Sequence, residues 1–156
     1  MMSSTAISTI IKMLEPVRPV TVNVRVGFSL PLLSSATGLV FAAFLPFQQI
    51  EHTIRSELKL YEKGGRADTP TDMSSAMALI CEVRRRGISR VKGALLAGVN
   101  SMAAPLFQHE GALGGVITVL GAADEIDITW NGRVASALRQ KSIEISRRMG
   151  FPAAAN

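Results

Sequence analysis

Val20-Thr-Val-Asn-Val-Arg-Val-Gly-Phe-Ser-Leu-Pro-Leu-Leu-Ser-Ser-Ala-Thr-Gly-Leu-Val-Phe-Ala-Ala-Phe-Leu-Pro46 is the stretch on which the fold class turns. Val20, Val22, Val24 and Val26 alternate with Thr21, Asn23 and Arg25, the period of a strand with one face on a core. Pro16 and Pro19 mark the turn before it. Ser34 to Phe44 reads as a short helix that is apolar nearly all round, and such a helix is buried. Pro46 ends it.

Outward from this stretch, residues 1–8 are small and polar and are expected to be a disordered N-terminus. Thr9 to Leu14 reads as a short strand. Phe47, Ile50, Ile54, Leu58 and Tyr61 recur at helical spacing and predict an amphipathic helix that Gly64-Gly65 stops. Thr69-Pro-Thr-Asp72 reads as a helix start with Thr69 as N-cap, Pro70 at the first helical position and Asp72 at the third. The helix it opens turns Met73, Ala76, Met77 and Ile80 inward and ends at Gly87 after three arginines, whose charge suits a helix C-terminus. Ile88 to Val91 predicts a strand and Lys92 to Asn100 a loop. Ser101 to Phe107 and Leu113 to Leu120 predict two strands joined by a hairpin turn at Gln108–Ala112. Asn131 to Met149 reads as a last helix with Val134, Leu138, Ile145 and Met149 on its buried face, closed by Gly150, Phe151 and Pro152. This order is α+β, a mainly antiparallel sheet flanked by helices, and not a βαβ alternation. The expected organisation is a terminus at 1–8, one domain at 9–151 and a tail at 152–156.

Composition narrows the class. The 156 residues are 47% hydrophobic and 19% charged, with mean hydropathy +0.27, which excludes a disordered or collagen-like chain. Cys81 is the one cysteine, so an internal disulfide framework and a multi-cysteine zinc site are excluded. With His52 and His109 as the two histidines, no metal and no cofactor are expected. Lys and Arg number 17 against 12 Asp and Glu, a net +5, which permits nucleic-acid binding without demonstrating it. From Val26 to Ile50 no residue is charged, long enough to cross a bilayer. Pro31 and Pro46 interrupt it, and a loop followed by a buried helix is the preferred reading. No signal peptide is read at the N-terminus.

Few groups carry chemistry. Ser34-Ser-Ala-Thr-Gly38 sits where the buried helix begins, and a helix start has unpaired N–H groups that suit the carboxylate of a small acid. The bland reading is an N-cap serine, with Gly38 allowing close packing. Cys81 should lie near the buried face of its helix as an inert residue. His109 reads as turn surface and His52 as the exposed side of its helix. Arg84-Arg-Arg86, Arg90 and Lys92 form the densest positive run, with no aromatic inside it for stacking nucleic acid; a solvated helix end is the expectation. Composition and spacing alone do not decide between ligand sensor, enzyme and interaction module.

Val24 to Pro46 also resembles the signature of the effector-binding domain of IclR-type bacterial transcription regulators. In that family a strand ending in Arg-x-Gly leads to Leu-Pro-Leu, a small-residue turn ending in Gly, and an alanine-rich helix closed by Leu-Pro. Glu82–Gly87, Gly98-Val-Asn-Ser-Met-Ala-Ala-Pro-Leu-Phe107, Thr118–Gly121 and Ile145–Gly150 are similar to further family segments, in the same order. The likeness covers roughly residues 10–151. It implies a GAF-like (profilin-like) sensor fold with a pocket between the sheet and the Ser34–Gly38 turn. It implies a small organic acid as effector, and a homodimer or homotetramer in the cytoplasm, without a membrane.

Carried over residue by residue, the resemblance places Ser34, Ser35, Ala36 and Thr37 at the helix turn of a ligand pocket. The body of the ligand would lie against Val91, Leu95, Ser101, Thr118 and Leu120. Val91 falls where acid-binding members can have Asp, Ser101 where they can have Cys, and Thr118 and Leu120 where they can have Ser. A less polar cavity is implied, suited to a larger or aromatic acid. The family binds DNA through a separate winged helix, which is not read in this chain. The alternatives are a small hydrolase or isomerase using Ser35 or Cys81, and a dimerising remnant with a vestigial pocket; the expectation is a sensor and not an enzyme.

Overall fold

In the computed structural model, residues 10, 12–14, 26–66, 68–93 and 96–152 are described. The expected strand at Val20–Val26 lies outside them except for Val26, which sits in a turn with Gly27 and is exposed. Of the strand expected at Thr9–Leu14, the described residues carry no strand; Ile10 bonds its backbone to Gly27 and Phe28.

Four helices and three strands follow. They are α1 (Ala36–Phe44), α2 (Phe47–Glu62), α3 (Met73–Arg86), β1 (Ser89–Lys92), β2 (Val99–Phe107), β3 (Leu113–Ala122) and α4 (Arg133–Arg148). The three strands are antiparallel in the order β1-β2-β3. This is the expected α+β architecture. Because residues opposite one another share a face, the register sorts the sheet. Ser89, Val91, Ser101, Ala103, Thr118 and Leu120 form its front; Arg90, Lys92, Asn100, Met102, Ile117 and Val119 form its back.

Two cores sit on these faces. In front, α1 packs on Val91 and Ala103, and Ile50, Ile54, Leu58, Ala76, Ile80 and Val83 of α2 and α3 extend the same core beyond it. Behind, Met102 and Ala104 pack against Ala135 and Leu138 of α4. Covering both faces explains why β2 is buried at Met102, Ala103 and Ala104 in succession. The uncharged stretch from Val26 to Ile50 resolves into a turn, α1 and the start of α2, broken at Leu45-Pro46. Among the described residues no helix is long and apolar enough to cross a membrane.

Several local expectations need correction. The N-cap of α3 is Asp72 and not Thr69. Asp72 accepts from the Ser75 amide at 2.7 Å while Ser75 Oγ accepts the Asp72 amide at 3.2 Å, a reciprocal capping box. Thr69 instead donates its hydroxyl to the Arg66 carbonyl at 2.7 Å, closing the preceding turn. Gly87 ends α3 as expected, with φ +67 in the left-handed region where a glycine is favoured. Cys81 is exposed, because α3 buries Ala76, Ile80 and Val83 and Cys81 lies one position off that stripe. β2 begins at Val99, inside the expected loop, and Lys92 ends β1. Phe47 opens α2 but is exposed.

The buried face of α4 differs most. Ala135, Leu138, Ser142 and Ser146 are buried, while Val134 and Ile145 are half-buried and Met149 is exposed. Small residues let the helix approach β2, and its serines bond the strand backbone. Ser142 donates to the Pro105 carbonyl at 2.6 Å, and Ser146 accepts the Phe107 amide at 3.0 Å beside the register shift at Leu106/Phe107. The chain then leaves through a Schellman closure, Phe151 N–H to Ser146 O and Gly150 N–H to Arg147 O.

Candidate functional site

The turn before α1 is built by three residues. Ser35 is the N-cap: its hydroxyl donates to the Pro31 carbonyl at 2.6 Å and accepts the Gly38 amide at 2.9 Å. Gly38 is a site of close approach. A Cβ there would stand 2.0 Å from the Pro31 carbonyl oxygen and 2.6 Å from Leu32 Cα, both backbone atoms that cannot swing away. Glu57 of α2 is the third. Its two carboxylate oxygens accept the consecutive amides of Leu32 at 2.6 Å and Leu33 at 2.9 Å.

Glu57 is buried, and Tyr61 one turn later donates its hydroxyl to it at 3.2 Å. Burial, seconded by the Glu57 charge and opposed by a hydrogen bond with Ser34, pushes the Tyr61 phenol up to about 12. The phenol therefore stays a neutral donor to the carboxylate through the neutral pH range. Sequence reading missed this clamp. Its signal was a carboxylate placed among Ile50, Ile54, Leu58 and Tyr61, on the stripe that faces the core.

On the sheet side, α1 is tied down by two side-chain bonds. Ser89 of β1 donates to the Ala36 carbonyl at 2.7 Å. Thr37 Oγ1 and Thr118 Oγ1 are 2.7 Å apart, a hydroxyl pair spanning α1 and the middle of β3. One pair of residues further along the front face, Val91, Ser101 and Leu120 lie opposite one another on β1, β2 and β3.

The expected site residues therefore divide. Thr37 and Thr118 meet directly, and Val91, Ser101 and Leu120 share the face on which they stand. Ser34 and Ser35 are buried in the turn, with the Ser35 hydroxyl engaged in capping. Ala36 is buried in the core, its carbonyl held by Ser89. Leu95 lies outside the described residues. Ser35 does not stand free as a nucleophile would, because its hydroxyl already donates and accepts. Cys81 lies on α3 and exposed, away from this group.

The basic run is less solvated than the sequence suggests. Arg84 donates to the Ala43 carbonyl at the end of α1 at 2.8 Å. Arg86 pairs with Glu82 at 2.9 Å. The guanidiniums of Arg86 and Arg90 lie 4.3 and 4.2 Å from the centre of the Trp130 ring, cation–π contacts supplied from a distant part of the chain. His52 and His109 are exposed, as expected.

Solved structures with this architecture include bacterial regulators. HmgR of Pseudomonas aeruginosa superposes with a TM-score of 0.83 at 35% identity, over 96% of this chain and 58% of that one. The IclR protein of Thermotoga maritima gives 0.73 at 23% identity, over 88% and 55%. The C-terminal domain of the Escherichia coli transcriptional regulator KdgR gives 0.67 at 19% identity, over 81% and 75%, a likeness of fold. The chain thus spans little more than half the length of the first two. Among curated proteins none matches. The family profile described as the C-terminal region of the bacterial transcriptional regulator IclR matches residues 2–147. With its α+β layers, its capped turn and its antiparallel sheet all accounted for, the chain belongs to the IclR C-terminal domain family of bacterial transcriptional regulators.

Proposed function

We propose that this chain is the effector-sensing part of an IclR-type regulator and that its effector is a small organic acid held on the front face of the sheet. The observation that carries the reading is the Thr37–Thr118 hydroxyl pair, standing beside Val91, Ser101 and Leu120. Each hydroxyl can donate to a carboxylate oxygen in place of its present partner, and a bond to a charged acceptor is the stronger of the two. Val91 and Leu120 offer an apolar surface for the body of the acid, in keeping with a larger or aromatic ligand. Glu57 and Ser35 hold the turn, so that binding needs no reordering of its backbone.

Sensing, and not contact with DNA, is the activity proposed for these residues. The effector would act by binding one assembly of a homodimer or homotetramer better than another, since only differential affinity shifts an equilibrium. Organic acids screened by thermal shift should include one that raises the melting temperature; at a hundred times its Kd it adds about 2.7 kcal/mol of stability. Thr37→Trp and Ser101→Trp should each abolish that gain by filling the site. An acid that binds both variants with unchanged affinity would place the site elsewhere. A screen without a hit, in a chain that still self-associates, would favour a dimerising remnant.

A further inference from the structure

Glu57 is the one charged side chain that is buried among the described residues. It stands directly behind the turn that leads into α1. Its oxygens accept the Leu32 and Leu33 amides, and the Tyr61 hydroxyl donates to it as well. It makes no ion pair among the described residues. Its negative charge is therefore met by hydrogen bonds alone and is not cancelled by a cation. A charge so placed acts further than one at the surface, because little water and little salt screen it.

The elements around the front face supply no cation to set against it. Neither α1 nor β2 nor β3 contains a charged residue. Arg90 and Lys92 of β1 stand on the back of the sheet. Arg84 reaches α1 at the Ala43 carbonyl, the end away from the turn. The backbone of the turn is also occupied: the Leu32 and Leu33 amides are held by Glu57, and the Gly38 amide by Ser35. What the front offers an acid is hydroxyl groups, and the Thr37–Thr118 pair is enough for one carboxylate. A second carboxylate would have to leave water for a surface made by Val91 and Leu120. It would find no cation there and would lie in the field of Glu57. An ion moved out of water without a partner pays the full desolvation cost.

We infer that the effector is a monocarboxylic acid and that Glu57 is a specificity-determining residue, whose buried charge rejects a second acid group. This rests on the reading that the effector binds on the front face. The same carboxylate thus has two effects: its hydrogen bonds hold the turn, and its charge selects among the acids that reach it.

The test titrates the whole chain calorimetrically with matched acids: hexanoate against adipate, benzoate against terephthalate, and phenylacetate against homophthalate. At neutral pH all their carboxyls are ionised. A monocarboxylate that binds the parent should do so at least about tenfold more tightly than its dicarboxylate partner. Glu57→Gln keeps the shape of the side chain and removes its charge, and should narrow that gap to about threefold or less. Leu120→Lys, at a half-buried position on the front face, supplies a cation without touching the clamp and should narrow it too. Glu62→Gln, exposed at the end of the same helix, should leave it as it is. The inference is overturned if dicarboxylates bind the parent as tightly as monocarboxylates, or if the gap survives Glu57→Gln. Should circular dichroism show that Glu57→Gln does not fold, a gap that survives Leu120→Lys overturns it instead. If Ser101→Trp leaves monocarboxylate binding unchanged, the front-face reading is what fails. If no acid binds the parent at ~10 mM, that reading fails and this inference with it.

Discussion

The front and back of the sheet are both fastened by hydroxyl groups, but not in the same way. Behind the sheet, Ser142 and Ser146 of α4 bond the backbone of β2 at Pro105 and Phe107. In front, Ser35, Ser89 and Glu57 also bond backbone groups, whereas Thr37 and Thr118 satisfy each other. A side chain bonded to backbone fixes the path of the chain. A pair of side chains can be separated without moving the backbone, and each hydroxyl can then turn to a third oxygen. On the proposed reading, the contact between α1 and β3 is the exchangeable one and the others are structural.

The largest effect should come from the buried carboxylate. Glu57→Ala leaves the Leu32 and Leu33 amides without their acceptor and should cost about 4 kcal/mol, since each unmet buried amide costs ~1–3 kcal/mol; chemical denaturation measures it. Gly38→Ala should cost about 3 kcal/mol, because the new methyl meets three backbone atoms and the turn must shift. A variant as stable as the parent would mean that the turn is looser than its bonds imply. Behind the sheet, Ser142→Ala leaves one carbonyl short of a donor and should cost about 1.5 kcal/mol. Thr118→Val, in the exchangeable pair, should cost less than about 1 kcal/mol and leave the amide exchange of α1 unchanged. If it destabilised the chain as much as Ser142→Ala does, the pair would be structural after all.

The smallest effect concerns pH at the start of α3. Hydrogen bonds from the backbone and side chain of Ser75 hold the Asp72 carboxyl below its usual 3.8. A depressed pKa means that the stabilisation is present above the unfolded value and is lost as pH falls through the folded one. The first turn of α3 should therefore loosen in acid, below the usual carboxylate range, seen as faster amide exchange at Ser75. In Asp72→Ala that acid step should vanish.

Much of this organisation was legible in the chain. The α1 cap and its closing proline, the stripe of α2, the α3 terminus and the hairpin at Gln108–Ala112 each rest on local rules. Most of what escaped reading depends on partners far apart in sequence. Glu57 looked like one more charge on α2 because nothing local says that its oxygens meet Leu32 and Leu33. Arg86 and Arg90 looked solvated because Trp130 arrives from beyond β3. The face of α4 was misread because burial there follows small serines that bond a strand, whereas a hydrophobic count favours Val134 and Met149. Asp72 was passed over as cap because Thr69 and Pro70 make an equally regular start, and the choice is settled by the reciprocal bond from Ser75. At the candidate site, the motif order led to Thr37 and Thr118, while the turn behind them was read as a cap without its carboxylate support.

The exchangeable pair is tested most directly by calorimetric titration of an organic acid that raises the melting temperature, against the parent chain and against Thr118→Val. The expected result is an affinity lower by about tenfold in the variant, one lost bond to a charged group, with stability nearly unchanged. Equal affinity in the two proteins would contradict a ligand held between α1 and β3.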